Sequence, residues 1–286
     1  MERGARLSDL DRSWSEDARI GHLLYSDFCL NCRCRATTGS QRHGSATRRR
    51  AVHRLAASEI KLATPTLRPM PVLQLTERDC LLLETLSVRV RILTVAQVGE
   101  AYFDDNYSGT TRRLKQLSRN GFIEIQRLVS RSLPELDRPI ASWSPGESPP
   151  NPRQIAGLLQ RRWSTLASRT TRIVSLGKRG ARLSGVKHRD GCRHPLHVAH
   201  DLGVAKVFLR YLAKQPELAD AWIGEEAFSQ FGLGSQISGG VVPDALIVDS
   251  QRRPVLGVEV GGLYSPRRIG AIHRSFFEKE LPYELW

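Results

Sequence analysis

The chain lacks the apolar run that a membrane demands: no stretch approaches the ~20 residues of a spanning helix. Met1-Glu2-Arg3-Gly4 also opens without the apolar core of a secretion signal. The two absences exclude a membrane partner and point to the cytoplasm. Cysteine is scarce, five in 286 residues, and the thiols show no pairing order, which suits a reducing compartment. Cys29, Cys32 and Cys34 lie close together, but a structural zinc site takes four ligands and His43 is only a loosely spaced fourth. No glycine-rich phosphate loop and no Ser-His-Asp order is present. Methionine occurs only at Met1 and Met70. Met70 stands just before the first capped helix, so we hypothesise that translation starts there. Intact native protein whose mass includes residues 1–69 would reject this, leaving the segment as a basic arm. Acidic residues are under-supplied, 29 against 43 basic, for a net charge of +14 and a pI near 10.2. Residues 1–69 carry 13 basic and 7 acidic residues, +6, so the remaining +8 is not the work of the tail. Such an excess favours a polyanionic partner through counterion release, and nucleic acid is the economical inference.

With 40% hydrophobic residues there is room for two domains of ordinary size. Residues 1–69 are rich in Arg, Ser and Thr with little periodicity and read as a disordered basic tail. Residues 70–133 read as one folded unit. The proline-rich stretch 134–152 reads as a linker or an extended part of it. Residues 153–184, with a helix near 155–166, a strand near 171–176 and a short helix after Gly177, either complete that unit or form a second, degenerate one. Residues 185–195 turn basic and polar again, as a linker into a C-terminal domain at 196–286.

Three helix starts follow in order within the first unit. Thr76 and Asp79 frame one, Thr94 and Gln97 make a capping box for a second, and Ser108-Gly109 opens a third that Asn120-Gly121 ends. At 100° per residue Arg112, Lys115, Gln116 and Arg119 share one arc of the third helix, next to Arg113, with Leu114, Leu117 and Ser118 opposite. Phe122 to Ile125 then alternates as a strand, with Arg127 and Arg131 beyond it. A winged helix-turn-helix has this order, and its third helix enters the DNA major groove, where arginine and glutamine read base edges and lysine anchors phosphates. Arg112, Arg113, Lys115, Gln116 and Arg119 are the expected DNA-binding residues.

In the last quarter Pro243-Asp244 opens the apolar run Ala245 to Val248, and a second run, Val255 to Val260, carries a lone Glu259. The polar Asp249 to Pro254 between them predicts two antiparallel strands. Asp244 and Glu259 are then near-opposite, within reach of a shared divalent ion. A charge inside an apolar run costs stability unless something pairs with it. Upstream, His200 to Leu212 has helical spacing, and Glu225 or Glu226 is a candidate third acid, with His200 a weaker one. Ser265-Pro266 starts a helix with Ile269, Ile272 and Phe276 on one face, and Leu281 to Trp286 reads as a return strand.

Pro243-Asp244, a hairpin and Glu259 resemble the signature of the PD-(D/E)XK, or restriction-endonuclease-like, superfamily. Gly261 stands where the lysine of its Glu-X-Lys motif would be, so a basic residue of the next helix, Arg267 or Arg268, would have to replace it, or the fold is kept for binding. Together with the helix order, Lys178-Arg179-Gly180-Ala181-Arg182-Leu183 and His200-Asp201-Leu202, the chain over about 72–286 resembles the replication-relaxation family of plasmids, phages and other mobile elements. The resemblance implies an α+β or α/β chain, a winged helix followed by a restriction-endonuclease-like domain. It implies DNA as partner, with a homodimer or plasmid or phage replication proteins as further ones. The expected function is DNA binding with a noncatalytic C-terminal domain. The alternative is a magnesium-dependent endonuclease or nickase with Asp244 and Glu259 as catalytic metal ligands, Glu226 as a third acid and Mg2+ as cofactor.

Overall fold

The computed structural model describes residues 73–188, 195–237 and 240–286 of the chain. The expected tail, the Met70 start and the cysteine cluster at 29–34 all lie outside the described residues. The described chain is a mixed α+β protein with eight α-helices and two sheets. No helix among the described residues is long and apolar enough to cross a membrane.

Helix α1 (Glu77–Glu84) begins at a capping box in which the Thr76 side chain accepts from the Asp79 amide and the Thr76 amide donates to the Asp79 carboxylate. The chain then runs through one π-helical turn into strand β1 (Ile92–Thr94). Helix α2 (Val95–Tyr102) starts at the expected box between Thr94 and Gln97. Helix α3 (Tyr107–Arg119) starts one residue earlier than Ser108-Gly109 suggests. Its cap is Asn106, whose side chain accepts from the Gly109 amide at 2.9 Å.

Strand β2 (Ile123–Arg131) is longer than the four alternating residues read from sequence. It pairs antiparallel along its whole length with β4 (Ser168–Leu176), and β1 lies on the other side of β4. Cross-strand pairing carries the polar outer half of the ladder, where hydropathy alone gives no strand signal. The insertion between β2 and β4 differs from an irregular linker. It supplies β3 (Ala141–Trp143), which pairs with the last strand of the chain, and helix α4 (Pro152–Ser164), capped by Asn151 with proline at its first position. The six-residue α5 (Lys178–Leu183) follows β4.

Helix α6 (Pro195–Lys214) begins five residues before His200, so His200 sits inside the helix and not at its start. After α7 (Pro216–Asp220) comes a five-stranded sheet of order β3-β8-β7-β6-β5. Its members are β5 (Trp222–Gly224), the hairpin β6 (Ala245–Val248) and β7 (Pro254–Glu259), and β8 (Tyr283–Leu285), parallel to β7 and reached through α8 (Pro266–Phe277). The hairpin turn is tied by Asp249, whose side chain accepts from the Gln251 and Arg253 amides at 2.9 and 2.8 Å.

The core does not divide at the expected linkers. One apolar cluster joins Leu82, Leu93, Leu114 and Leu117 to Val204, Trp222, Val258 and Trp286. Arg89, 5% exposed, donates to Glu84 at 2.8 Å and to the Trp222 carbonyl, while the Trp222 indole donates to the Arg89 carbonyl at 3.0 Å. Paired in this way, a buried guanidinium fastens the α1 region to β5 with no unmet charge.

Candidate functional site

Two surfaces carry the residues expected from sequence. The first is the outer face of α3. Arg112, Lys115, Gln116 and Arg119 are exposed, whereas Leu114 and Leu117 are 1% and 0% exposed behind them. The 3.6-residue period of the helix makes that separation. Arg113 lies elsewhere. Its Nε donates to Asp79 Oδ1 at 3.0 Å and its Nη2 donates to the Gln74 carbonyl at 2.7 Å. Asp79 itself is wholly buried. Burial would raise its carboxyl, but the bonds from Arg113 and Thr76 outweigh that and hold it below the usual carboxylate range. Arg113 therefore ties α3 to the start of α1.

Beyond α3 the β2–β4 ladder continues the positive surface with Arg127 and Arg169 exposed, and Arg127 is in register with Arg172. The Arg172 guanidinium lies 5.8 Å from the Tyr107 ring and bonds its hydroxyl, linking the ladder to the first residue of α3.

The second surface is the carboxylate site at the base of the β6–β7 hairpin. Ala245 is in register with Val258, so the next position puts Asp244 beside Glu259 as the hairpin predicted. The same cluster contains His200, whose Nε2 is 3.3 Å from Asp244 Oδ2 and whose Nδ1 is 3.8 Å from Asp201 Oδ1. Burial would lower the imidazole, but the two carboxylates overcome it and raise it to about 11. His200 is thus an imidazolium at neutral pH, a positive charge held against Asp244.

Glu259 is 1% exposed. One carboxylate oxygen accepts from the Tyr264 hydroxyl at 2.9 Å and lies 3.8 Å from Arg268, while Oε2 has no hydrogen-bond partner. Burial and then the Asp244 charge push this carboxyl up to about 8. Glu226 stands one step away, 3.7 Å from Arg91, which is also 3.8 Å from Asp201. The Glu225 amide donates to the Asp244 carbonyl at 2.9 Å, and its carboxyl is raised by desolvation and then by Asp244. Arg91, His200, Asp201, Glu225, Glu226 and Asp244 all line one cavity of about 450 Å3 between β1 and the second sheet. Arg91 and Tyr264 were not legible as members, because the residue before β1 and the loop after β7 reach the site only through tertiary packing, whereas Asp201 comes with His200 on α6.

Magnesium asks for oxygen ligands near octahedral geometry and is commonly held by one or two carboxylates, which here would be Asp244 and Glu259. Asp244 Oδ2 already accepts from the Val260 amide at 2.7 Å and faces His200. Among the described residues no group of three or more His, Cys, Asp or Glu is placed to hold a metal ion. Arg268, the nearer candidate for the missing lysine, lies 3.8 Å from Glu259 and carries a guanidinium, a group that donates hydrogen bonds and has no acceptor. Comparison with protein-family models, curated proteins and solved structures gives no match.

Proposed function

We propose that this chain is a DNA-binding protein of the replication-relaxation type, serving the replication, mobilisation or regulation of a mobile element. In this reading α1, α2 and α3 with the β2–β4 ladder act as a winged helix-turn-helix, and the five-stranded sheet is a nuclease-like fold kept for binding. The observation that carries it is the exposed arc of Arg112, Lys115, Gln116 and Arg119 over a buried Leu114–Leu117 backing. An arc of long donors presented by a rigidly backed helix suits base edges and phosphates of a major groove. The noncatalytic half rests on His200: an imidazolium against Asp244 supplies the positive charge that a metal would otherwise bring.

A second reading, a magnesium-dependent endonuclease or nickase, draws on one observation, the adjacency of Asp244 and Glu259. Asp244 Oδ2 is already engaged by His200 and the Val260 amide, and no catalytic step is assigned.

The test uses the full chain with supercoiled, linear and single-stranded DNA across a salt series, with magnesium, manganese or chelator. Tight binding that weakens with salt, no cleavage, and an affinity unchanged by chelator are expected. Arg112→Ala with Arg119→Ala should reduce the slope of log affinity against log salt by about 1.8, at ~0.9 per phosphate contact. Nicking that needs both metal and Asp244 would overturn the noncatalytic half. Unchanged binding in the double variant would refute the role of α3.

A further inference from the structure

The stretch 178–187 holds Lys178, Arg179, Arg182 and Lys187 and no acidic residue. All four are exposed. The place of α5 in the fold makes Lys178, Arg179 and Arg182 an extension of the α3 surface, whereas Lys187 lies beyond it and lines the cavity at His200. The Gly177 amide donates to the Phe122 carbonyl at 2.8 Å and the Arg179 amide to the Gly121 carbonyl at 2.9 Å, so α5 starts on the turn that ends α3. That contact is so close that only glycine permits it. A Cβ on Gly177 would stand 2.5 Å from the Gly121 oxygen, and one on Gly180 would stand 2.2 Å from the Phe122 oxygen. The Arg179 guanidinium lies 4.5 Å from the Phe122 ring centroid, which fixes that side chain in place.

Arg119, the last residue of α3, is two residues and so at most about 7 Å of chain from Gly121, whose carbonyl accepts from the Arg179 amide. The proximity of α5 to the end of α3 follows from covalent geometry plus two hydrogen bonds. This short helix, clamped onto the end of α3, gives the core Gly180, Ala181 and the partly buried Leu183, and presents three cations to solvent. Buried apolar contact holds α5 in place, and its exposed cations are left for a partner.

We propose that Lys178, Arg179 and Arg182 form a phosphate-anchoring surface that grips the DNA backbone beyond the C-terminal end of α3. The inference rests on the DNA-binding reading and deepens it. Residues on α3 face base edges and phosphates together, whereas the α5 cations meet phosphates alone, so they contribute affinity and register without sequence preference. Preorganisation is the advantage of the arrangement: the glycine contacts and the Phe122 stack fix α5 before DNA arrives, so little ordering is left for binding to oppose.

The experiment compares the full chain with Lys178→Ala/Arg182→Ala and, separately, Arg112→Ala/Arg119→Ala, on several duplexes of unrelated sequence over a salt series. Arg179 is left intact because it stacks on Phe122. Thermal unfolding of each variant checks the fold, and Lys178→Gln/Arg182→Gln serves as a second pair should the alanine pair unfold. Loss of two phosphate contacts lowers the salt slope by about 1.8 and weakens binding about 30-fold at 0.15 M salt. That loss should be equal on every duplex. An α5 pair that binds like the unaltered chain while the α3 pair loses affinity overturns the inference and leaves the DNA reading standing. Both pairs binding unchanged would sink the DNA reading itself. A loss confined to one duplex sequence also overturns it, because phosphate contacts carry no base information.

Discussion

Replacing Arg113 by methionine keeps the aliphatic stem of the side chain and removes the guanidinium that faces Asp79. Asp79 is 0% exposed and its carboxylate accepts from Arg113 Nε at 3.0 and 3.2 Å, from Arg113 Nη2, and from the amide and hydroxyl of Thr76 at 2.7 Å each. The substitution deletes every bond from the cation and leaves the two from Thr76, so a buried negative charge stays behind half-satisfied. Breaking one partner of such a pair costs about 3–5 kcal/mol, a large part of the ~5–15 kcal/mol that holds a domain folded. The pH dependence has a definite sign. Asp79 titrates below its ordinary value in the folded chain, so its contribution is present above the unfolded pKa near ~3.9 and is lost as pH falls through the folded value. In the variant, burial without Arg113 raises that carboxyl, and the deficit shrinks as acid protonates it. Urea denaturation followed by circular dichroism from neutral pH down to about pH 4 measures both. Adding Asp79→Asn to Arg113→Met should recover most of the loss, since no buried charge is then stranded. A deficit under about 1 kcal/mol, or one independent of pH, would refute the reasoning and return Arg113 to the solvent-facing set.

Glu259→Gln removes a carboxyl that the fold holds protonated up to about pH 8. Ionising it opposes folding, so the unaltered chain should lose stability as pH rises from about 4.3 through 8, and the variant should be flatter and more stable over that window in thermal scans. A variant less stable than the parent at pH 8 would contradict this. His200 has the opposite sign: its folded pKa lies above the free value, so its stabilisation is complete below about pH 6.5 and fades as pH rises toward 11. His200→Ala should therefore destabilise most at pH 6, and an equal loss at pH 6 and pH 10 would show that the imidazolium pairing is not the cause. Gly180→Ala puts a Cβ 2.2 Å from the Phe122 carbonyl oxygen, which forces α5 off the α3–β2 turn at a cost of about 1–3 kcal/mol. A midpoint in urea indistinguishable from the parent would show that α5 is not seated there.

Much of the local structure was legible because it is local chemistry. The Thr76 and Thr94 boxes, Ser265-Pro266, the Asp249 turn and the arc of α3 each involve residues within one helical turn or one hairpin, where spacing alone fixes geometry. The pairing of Asp244 with Glu259 follows from counting outward from the turn. What failed was everything that needed a distant partner. The stretch around Trp143 reads as irregular because its proline-rich flanks dominate locally, yet β8 supplies the ladder that makes it a strand. The helix through His200 also begins five residues earlier than the polar His200-Asp201 pair suggests.

The sequence by itself determined the positive charge, the helix and hairpin boundaries to within a few residues, and which side chains line each face. Tertiary structure alone decided that Arg113 belongs to Asp79 and not to solvent, and that His200 and Arg91 join the carboxylates at Asp244. It also set α5 against the end of α3. The physical reason is the same in each case. A charge's role is set by whichever opposite charge, ring or carbonyl is folded against it, and those partners lie from 34 residues away for Asp79 and Arg113 to 110 or more for Arg91 with Asp201 and Glu226.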